Sequence, residues 1–148
     1  MKFTILGEIK TKGRPRCCLI NGRPHIYTPR ETQEYEEHIK YSYLNQSENW
    51  QKQPYFSKDI ALSLRIRAIF KPSIANAKKW AKLGSYPNCT KHKDIDNICK
   101  VVMDALNGVM YEDDKQIVEL VGTKTYGEIE RIEVECCAMS AENGKETA

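Results

Sequence analysis

The run Ile95-Asp96-Asn97-Ile98-Cys99-Lys100-Val101-Val102-Met103-Asp104-Ala105-Leu106 constrains the fold more than any other segment. At the helical period Ile95, Ile98, Cys99, Val102 and Leu106 share one face. Asp96, Lys100 and Asp104 recur at i, i+4 and i+8 on the opposite face, with Asn97 beside them. An apolar stripe of this kind must be covered, and Asn107-Gly108 ends the helix that carries it. The cover has to be a sheet, because the rest of the chain is rich in alternating segments.

The strongest of these is residues 60–70, where Ile60, Leu62, Leu64, Ile66, Ala68 and Phe70 alternate with partners that include Arg65 and Arg67. That pattern predicts a half-buried strand. Residues 3–8, 117–126 and 129–139 read as further strands, and 17–27 as a hairpin turning at Asn21-Gly22. Thr28-Pro29-Arg30-Glu31 has the form of a capping box with Pro at N1, opening a helix to about Leu44 with Tyr35, Ile39 and Tyr43 on one face. A short basic helix is expected over 75–83, with Trp80 anchoring it to the core. Strands and helices interleave, so the expected class is α/β (α+β): one mixed β-sheet flanked by helices, in a single domain over 1–139 with a polar C-terminal tail at 140–148.

With 148 residues and 41% hydrophobic content, the chain is long enough to bury a core and too apolar to be disordered throughout. No stretch approaches the roughly 18 apolar residues of a membrane span, and the first residues read as a strand rather than a signal sequence, so a cytoplasmic protein is expected. Two of the six cysteines stand beside another two, as Cys17-Cys18 and Cys136-Cys137, and reduced thiols are the better reading. Cys89, His92 and Cys99 lack a fourth zinc ligand at conventional spacing. His25, His38 and His92 form no motif around a reactive cysteine, and nothing points to an organic cofactor.

A net charge of +3 hides strong segregation. Between Glu8 and Glu31 the only charges are Lys10, Lys12, Arg14, Arg16, Arg23 and Arg30, and between Asp59 and Asp94 they are Arg65, Arg67, Lys71, Lys78, Lys79, Lys82, Lys91 and Lys93. Two basic stretches of this kind suit a polyanionic partner, because each phosphate contact releases counterions. Lys12, Arg14, Arg16, Lys78, Lys79, Lys91 and Lys93 are the candidate DNA-binding residues.

The acidic face of the 95–106 helix, Asp94 at its start and the later Glu112-Asp113-Asp114 carry the candidate chemistry. Residues 107–113 are long enough, if extended at about 3.3 Å each, to bring Asp113 and Asp114 back towards the start of the helix. Taken singly, Asp94 reads as an N-cap, Asp104 and Lys100 as a surface pair, and Asp113-Asp114 as a polar turn. Taken together they repel one another unless a hard cation bridges them. Mg²⁺ prefers carboxylate oxygen and retained water, with Mn²⁺ a possible substitute, and Lys100 would add a positive charge beside that centre.

Asp94-Ile95-Asp96-Asn97 followed by Lys100, then Asp104-Ala105-Leu106-Asn107, Asp113-Asp114 and Gln116-Ile117, resembles the RusA family of Holliday junction resolvases. Lys12-Gly13-Arg14-Pro15-Arg16 and Tyr27-Thr28-Pro29 are similar to that family's N-terminal pattern, so the resemblance spans about residues 3–139. It implies a homodimeric, Mg²⁺-dependent endodeoxyribonuclease, bacterial or prophage-encoded, that cuts four-way DNA junctions by paired nicks in recombination and repair. Carried onto matching positions, the catalytic residues are Asp94, Asp96, Lys100 and Asp114, and the metal ligands Asp94, Asp96, Asp114 and Asp113. A branched-DNA-binding protein without catalysis, or a nuclease for flaps and other branched DNA, are the alternatives.

Overall fold

The computed structural model describes residues 1–140. The elements run β1 (Lys2–Leu6), β2 (Arg16–Ile20), β3 (Arg23–Tyr27), α1 (Arg30–Gln46), β4 (Leu62–Phe70), α2 (Ile74–Leu83), α3 (Ile95–Leu106), a 3-10 turn (Asp114–Gln116), β5 (Ile117–Tyr126) and β6 (Arg131–Ala138). The expected tail lies outside the described residues except for Ser140. The main sheet has the order β1-β6-β4-β5 and is mixed, as expected. β4 pairs antiparallel with β6 and parallel with β5, and β6 pairs antiparallel with β1.

Register explains the core. Phe3 and Ile5 of β1, Leu62, Leu64, Ile66 and Ala68 of β4, and Ile132, Val134 and Cys136 of β6 fall on one face and are buried. Tyr35, Ile39 and Tyr43 of α1 and Ile98, Val101, Val102, Ala105 and Leu106 of α3 complete the same cluster. The opposite face is polar. Arg65 stands across from Glu135, and Arg67 lies 3.7 Å from Glu133. Helices therefore cover one face of the sheet rather than flanking both. The two arginines of β4 leave the basic stretch to face acidic neighbours on β6.

Three local details differ from expectation. α1 starts at Arg30 with Pro29 in the N-cap position and no side-chain cap, so the capping box does not form. Glu31 is drawn 3.2 Å from Lys10, so a distant partner takes the carboxylate that a box would use. α1 also runs on to Gln46. α2 buries no residue. Its half-buried Trp80 leans on Tyr126 with ring centroids 5.0 Å apart, within an aromatic group in which His92 stacks on Phe70 at 4.9 Å. The tryptophan thus ties α2 to the end of β5 rather than to the core.

The β2–β3 hairpin turns at Asn21 and Gly22, with φ of 51° and 73°. Two positive φ values in succession are the requirement of the tight turn that matches strand twist. All six cysteines are free. Among the described residues no helix is long and apolar enough to cross a membrane.

Candidate active site

α3 forms where its apolar period places it, and its first turn presents two acids. Asp94 is the N-cap residue in extended conformation, and Ile98 N donates to its carbonyl at 3.2 Å. Its carboxylate makes no cap hydrogen bond, so the helix does not use the group that sequence alone would give it as a cap. Asp96 and Lys100 are exposed and Asp104 is half-buried along the outer face. The inner side of this half of α3 comes close to β5 at Gly122, where a Cβ would lie 2.9 Å from both Cys99 Sγ and Ile95 Cγ1.

The chain after α3 does not extend. Gly108, at φ 77°, donates to the Tyr111 carbonyl at 2.7 Å, and Met110 N donates back to Leu106 O at 3.0 Å. Tyr111 is fully buried, and its hydroxyl donates to Met103 O at 2.7 Å. This compact turn consumes the residues expected to run back along the helix. Asp114 therefore arrives within electrostatic reach of Asp104, on the later half of α3. Asp96, Lys100, Asp104 and Asp114 together line a cleft of about 360 Å³ between α3 and β5, floored by Ile95, Met103 and Leu120.

The adjacent acids Asp113 and Asp114 have different work. Asp113 is an N-cap: its Oδ1 accepts from Lys115 N at 2.9 Å, and Gln116 Oε1 accepts from Asp113 N at 3.2 Å. The amide of buried Gln116 also donates to the carbonyls of Ser57 and Ile60 at 2.8 and 3.1 Å, which fixes the platform from which Asp114 projects. The Lys115 backbone N–H holds the Asp113 carboxyl below its usual range. Partial burial pushes the Asp114 carboxyl up, and the nearby Asp113 and Asp104 carboxyls push it further. Asp113 thus has a capping role in this structure. The Asp-x-x-Gln spacing of Asp113 and Gln116 is the capping-box signature that signals it.

Among the described residues no three His, Cys, Asp or Glu side chains stand close enough to hold a metal ion. Of the four expected ligands, Asp96 and Asp114 share the cleft, Asp94 stands at the helix start outside its lining, and Asp113 caps the turn before β5. Burial and the Asp96 charge push the Cys99 thiol up to about 11, so it stays protonated and is no nucleophile.

The basic candidates also divide. Lys12 does not face solvent as a DNA contact; its ammonium bridges Glu36 of α1 and Asp104 of α3, the latter at 3.0 Å. Asp104 pairs with Lys12 rather than Lys100, and among the described residues Lys100 makes no ion pair. Lys93 Nζ donates to Ile9 O at 2.6 Å, while Arg14, Arg16, Lys78, Lys79 and Lys91 are exposed. No local pattern marks Glu36, because its contact with Lys12 exists only once the chain is folded.

Residues 7–136 match the family described as endodeoxyribonuclease RusA. The chain belongs to the RusA family. It is also 32% identical, over 95% of its length and 98% of the relative's, to the uncharacterized protein YqaN of Bacillus subtilis (strain 168). RusA proteins are Holliday junction resolvases, and the acidic cleft of this family member lies within the matched residues.

Close approach at Gly122 supplies a test of the cleft's wall. Gly122→Val is expected to push α3 off β5, costing about 1–3 kcal/mol of stability in a urea titration. Junction cleavage should fall further than the lost folded fraction accounts for.

Proposed function

We propose that this chain is a Mg²⁺-dependent endodeoxyribonuclease that resolves four-way DNA junctions by paired symmetric nicks, acting as a homodimer. The observation that carries this reading is the convergence of Asp96 and Lys100 from α3 and Asp114 from the turn before β5 on one cleft. Mg²⁺ keeps several waters and is commonly held by one or two carboxylates plus substrate phosphate rather than by an all-protein cage. Asp96 and Asp114, brought to one cleft from two elements, fit that requirement. Asp96 and Asp114 would hold the ion, with the carboxylate of Asp94 left uncapped at the start of the same helix. When bound, Mg²⁺ supplies an activated water and offsets charge on the phosphodiester.

The chain's own groups do the remainder. Lys100, unpaired among the described residues, offers its ammonium to a phosphate oxygen, where it stabilises the charge that builds up as the backbone is attacked. Asp104 is paired with Lys12 and shapes the cleft rather than contacting substrate. Exposed Arg14, Arg16, Lys78, Lys79 and Lys91 hold the DNA backbone. A junction with two-fold symmetry calls for two such clefts related by a matching axis, which a homodimer provides.

The test is incubation of the protein with a synthetic mobile four-way junction, with Mg²⁺, with Mn²⁺ and with EDTA, mapping products on all four strands. Paired cuts at symmetric positions that require the metal are expected. A shift in mobility without cutting would leave a branched-DNA-binding protein. Equal or faster cutting of three-way or flap substrates would move the assignment to a broader branched-DNA nuclease.

A further inference from the structure

The β2–β3 hairpin stands apart from the cleft and has two chemically distinct faces. Cross-strand register places Arg16 with Tyr27, Cys18 with His25 and Ile20 with Arg23 on one face, and Cys17 with Ile26 and Leu19 with Pro24 on the other. Every residue of both strands is exposed except half-buried Cys18. The first face carries two guanidinium groups, with the His25 and Tyr27 rings stacked at 6.5 Å and 11°. No acidic residue lies between Glu8 and Glu31 to neutralise it from within the hairpin.

An isolated two-stranded ribbon is marginal in water, and one of this charge gains most from a polyanion laid against it. Its root leads towards the acidic cleft. A groove of about 370 Å³ lined by Lys10, Arg14, Arg16 and Lys93 joins the hairpin to the loop that ends at Asp94, although Glu31 also borders this groove and pairs with Lys10. A two-stranded ribbon is slim enough to enter a DNA groove, and guanidinium groups suit phosphate. Stacked flat rings suit an unpaired base.

Resting on the nuclease reading above, we propose that the Arg16/Arg23 face of the hairpin is a DNA-docking arm, in which the two arginines take backbone phosphates and the His25–Tyr27 stack receives a base unstacked at the branch point. The arm favours branched over linear DNA, because only branched DNA offers such a base at little cost.

Binding by the full chain is measured by fluorescence anisotropy in EDTA, on a four-way junction and on a linear duplex, across a salt series. Losing two phosphate contacts reduces the slope of log Kd against log salt by about 1.8, so Arg16→Gln/Arg23→Gln should show a drop of that size. Arg65→Gln/Arg67→Gln, on the polar face of the sheet, removes the same charge and should leave the slope unchanged. His25→Ala/Tyr27→Ala should weaken junction binding about tenfold while duplex binding stays within about twofold. An unchanged slope in the arginine variant, equal losses in both arginine variants, or equal losses on junction and duplex in the ring variant would overturn the proposal. So would Leu19→Ser/Ile26→Ser dissociating a dimer while Arg16→Gln/Arg23→Gln binds normally, since the hairpin would then pair two copies. If the wild type binds and cuts junctions and the hairpin variants match it, the arm alone fails; if the wild type binds no junction, the nuclease reading fails with it.

Discussion

Asp96→Asn is expected to reduce Mg²⁺-dependent cutting of a four-way junction by at least about 10³-fold, on the scale of losing a group that acts on transition-state charge. Binding of the same junction in EDTA should be retained or tightened, because one negative charge leaves a cleft that faces phosphate. Asp114→Asn should lose cutting to a similar degree, with a second effect of opposite sign. The folded Asp114 carboxyl sits above its usual range because burial and its acidic neighbours oppose its charge. Its ionised form therefore costs the folded state stability, and that cost grows as pH rises through the usual carboxylate range into the raised one. At pH 7 the amide removes the cost, so the variant should melt about 1–2 °C higher, the scale of a solvent-screened repulsion of roughly 0.5 kcal/mol. Single-turnover cleavage and thermal melts at pH 7 check both halves. An Asp114→Asn protein that melts lower, or cuts normally, would remove this carboxylate from the proposed chemistry.

Much of this arrangement is legible in the sequence because it rests on period and stop signals. The five apolar positions of α3 and the Asn107-Gly108 stop mark the helix at the bounds the structure has, Ile95–Leu106. Alternation in β4 identifies the core strand and also its polar face, since Arg65 and Arg67 take the positions between the buried residues. Asn21-Gly22 is legible for the same reason: few dipeptides accept two positive φ values in a row. Reading fails where a side chain chooses between a local and a distant partner. Glu31 has the spacing of a capping box but meets Lys10. Asp94 has the position of a cap but leaves its carboxylate unused, whereas Asp113, which looks like a ligand, is the acid that caps. Along the path from Asn107 to Asp114, chain length sets only how far the segment can reach. Burial of Met110 and Tyr111 sets how far it does reach.

The same principle governs Lys12, where a residue in a basic run turns out to hold the fold together. Lys12→Met is expected to destabilise the protein by about 2 kcal/mol, or roughly 4–8 °C, because it strands two half-buried carboxylates without a counter-charge. Partial burial works against the ammonium, but its hydrogen bonds to Glu36 and Asp104 outweigh that and hold the Lys12 pKa above its usual value. A raised lysine contributes stability that is fully present at neutral pH and is lost only as pH climbs through the raised value, so the deficit of the variant should be constant across pH 7–9. Adding Glu36→Gln to Lys12→Met should recover part of the loss, a coupling that a double-mutant cycle in urea reads directly. The salt slope of junction binding should not change, since an ammonium already paired inside the protein releases no counterion from DNA. Cutting should nevertheless respond. With Lys12 gone Asp104 loses its counter-charge within reach of Asp114, and the variant should reach half-maximal cleavage at a different Mg²⁺ concentration from the wild type. A stable Lys12→Met protein with a reduced salt slope would return this lysine to the DNA-binding surface and leave Asp104 unpaired in the cleft.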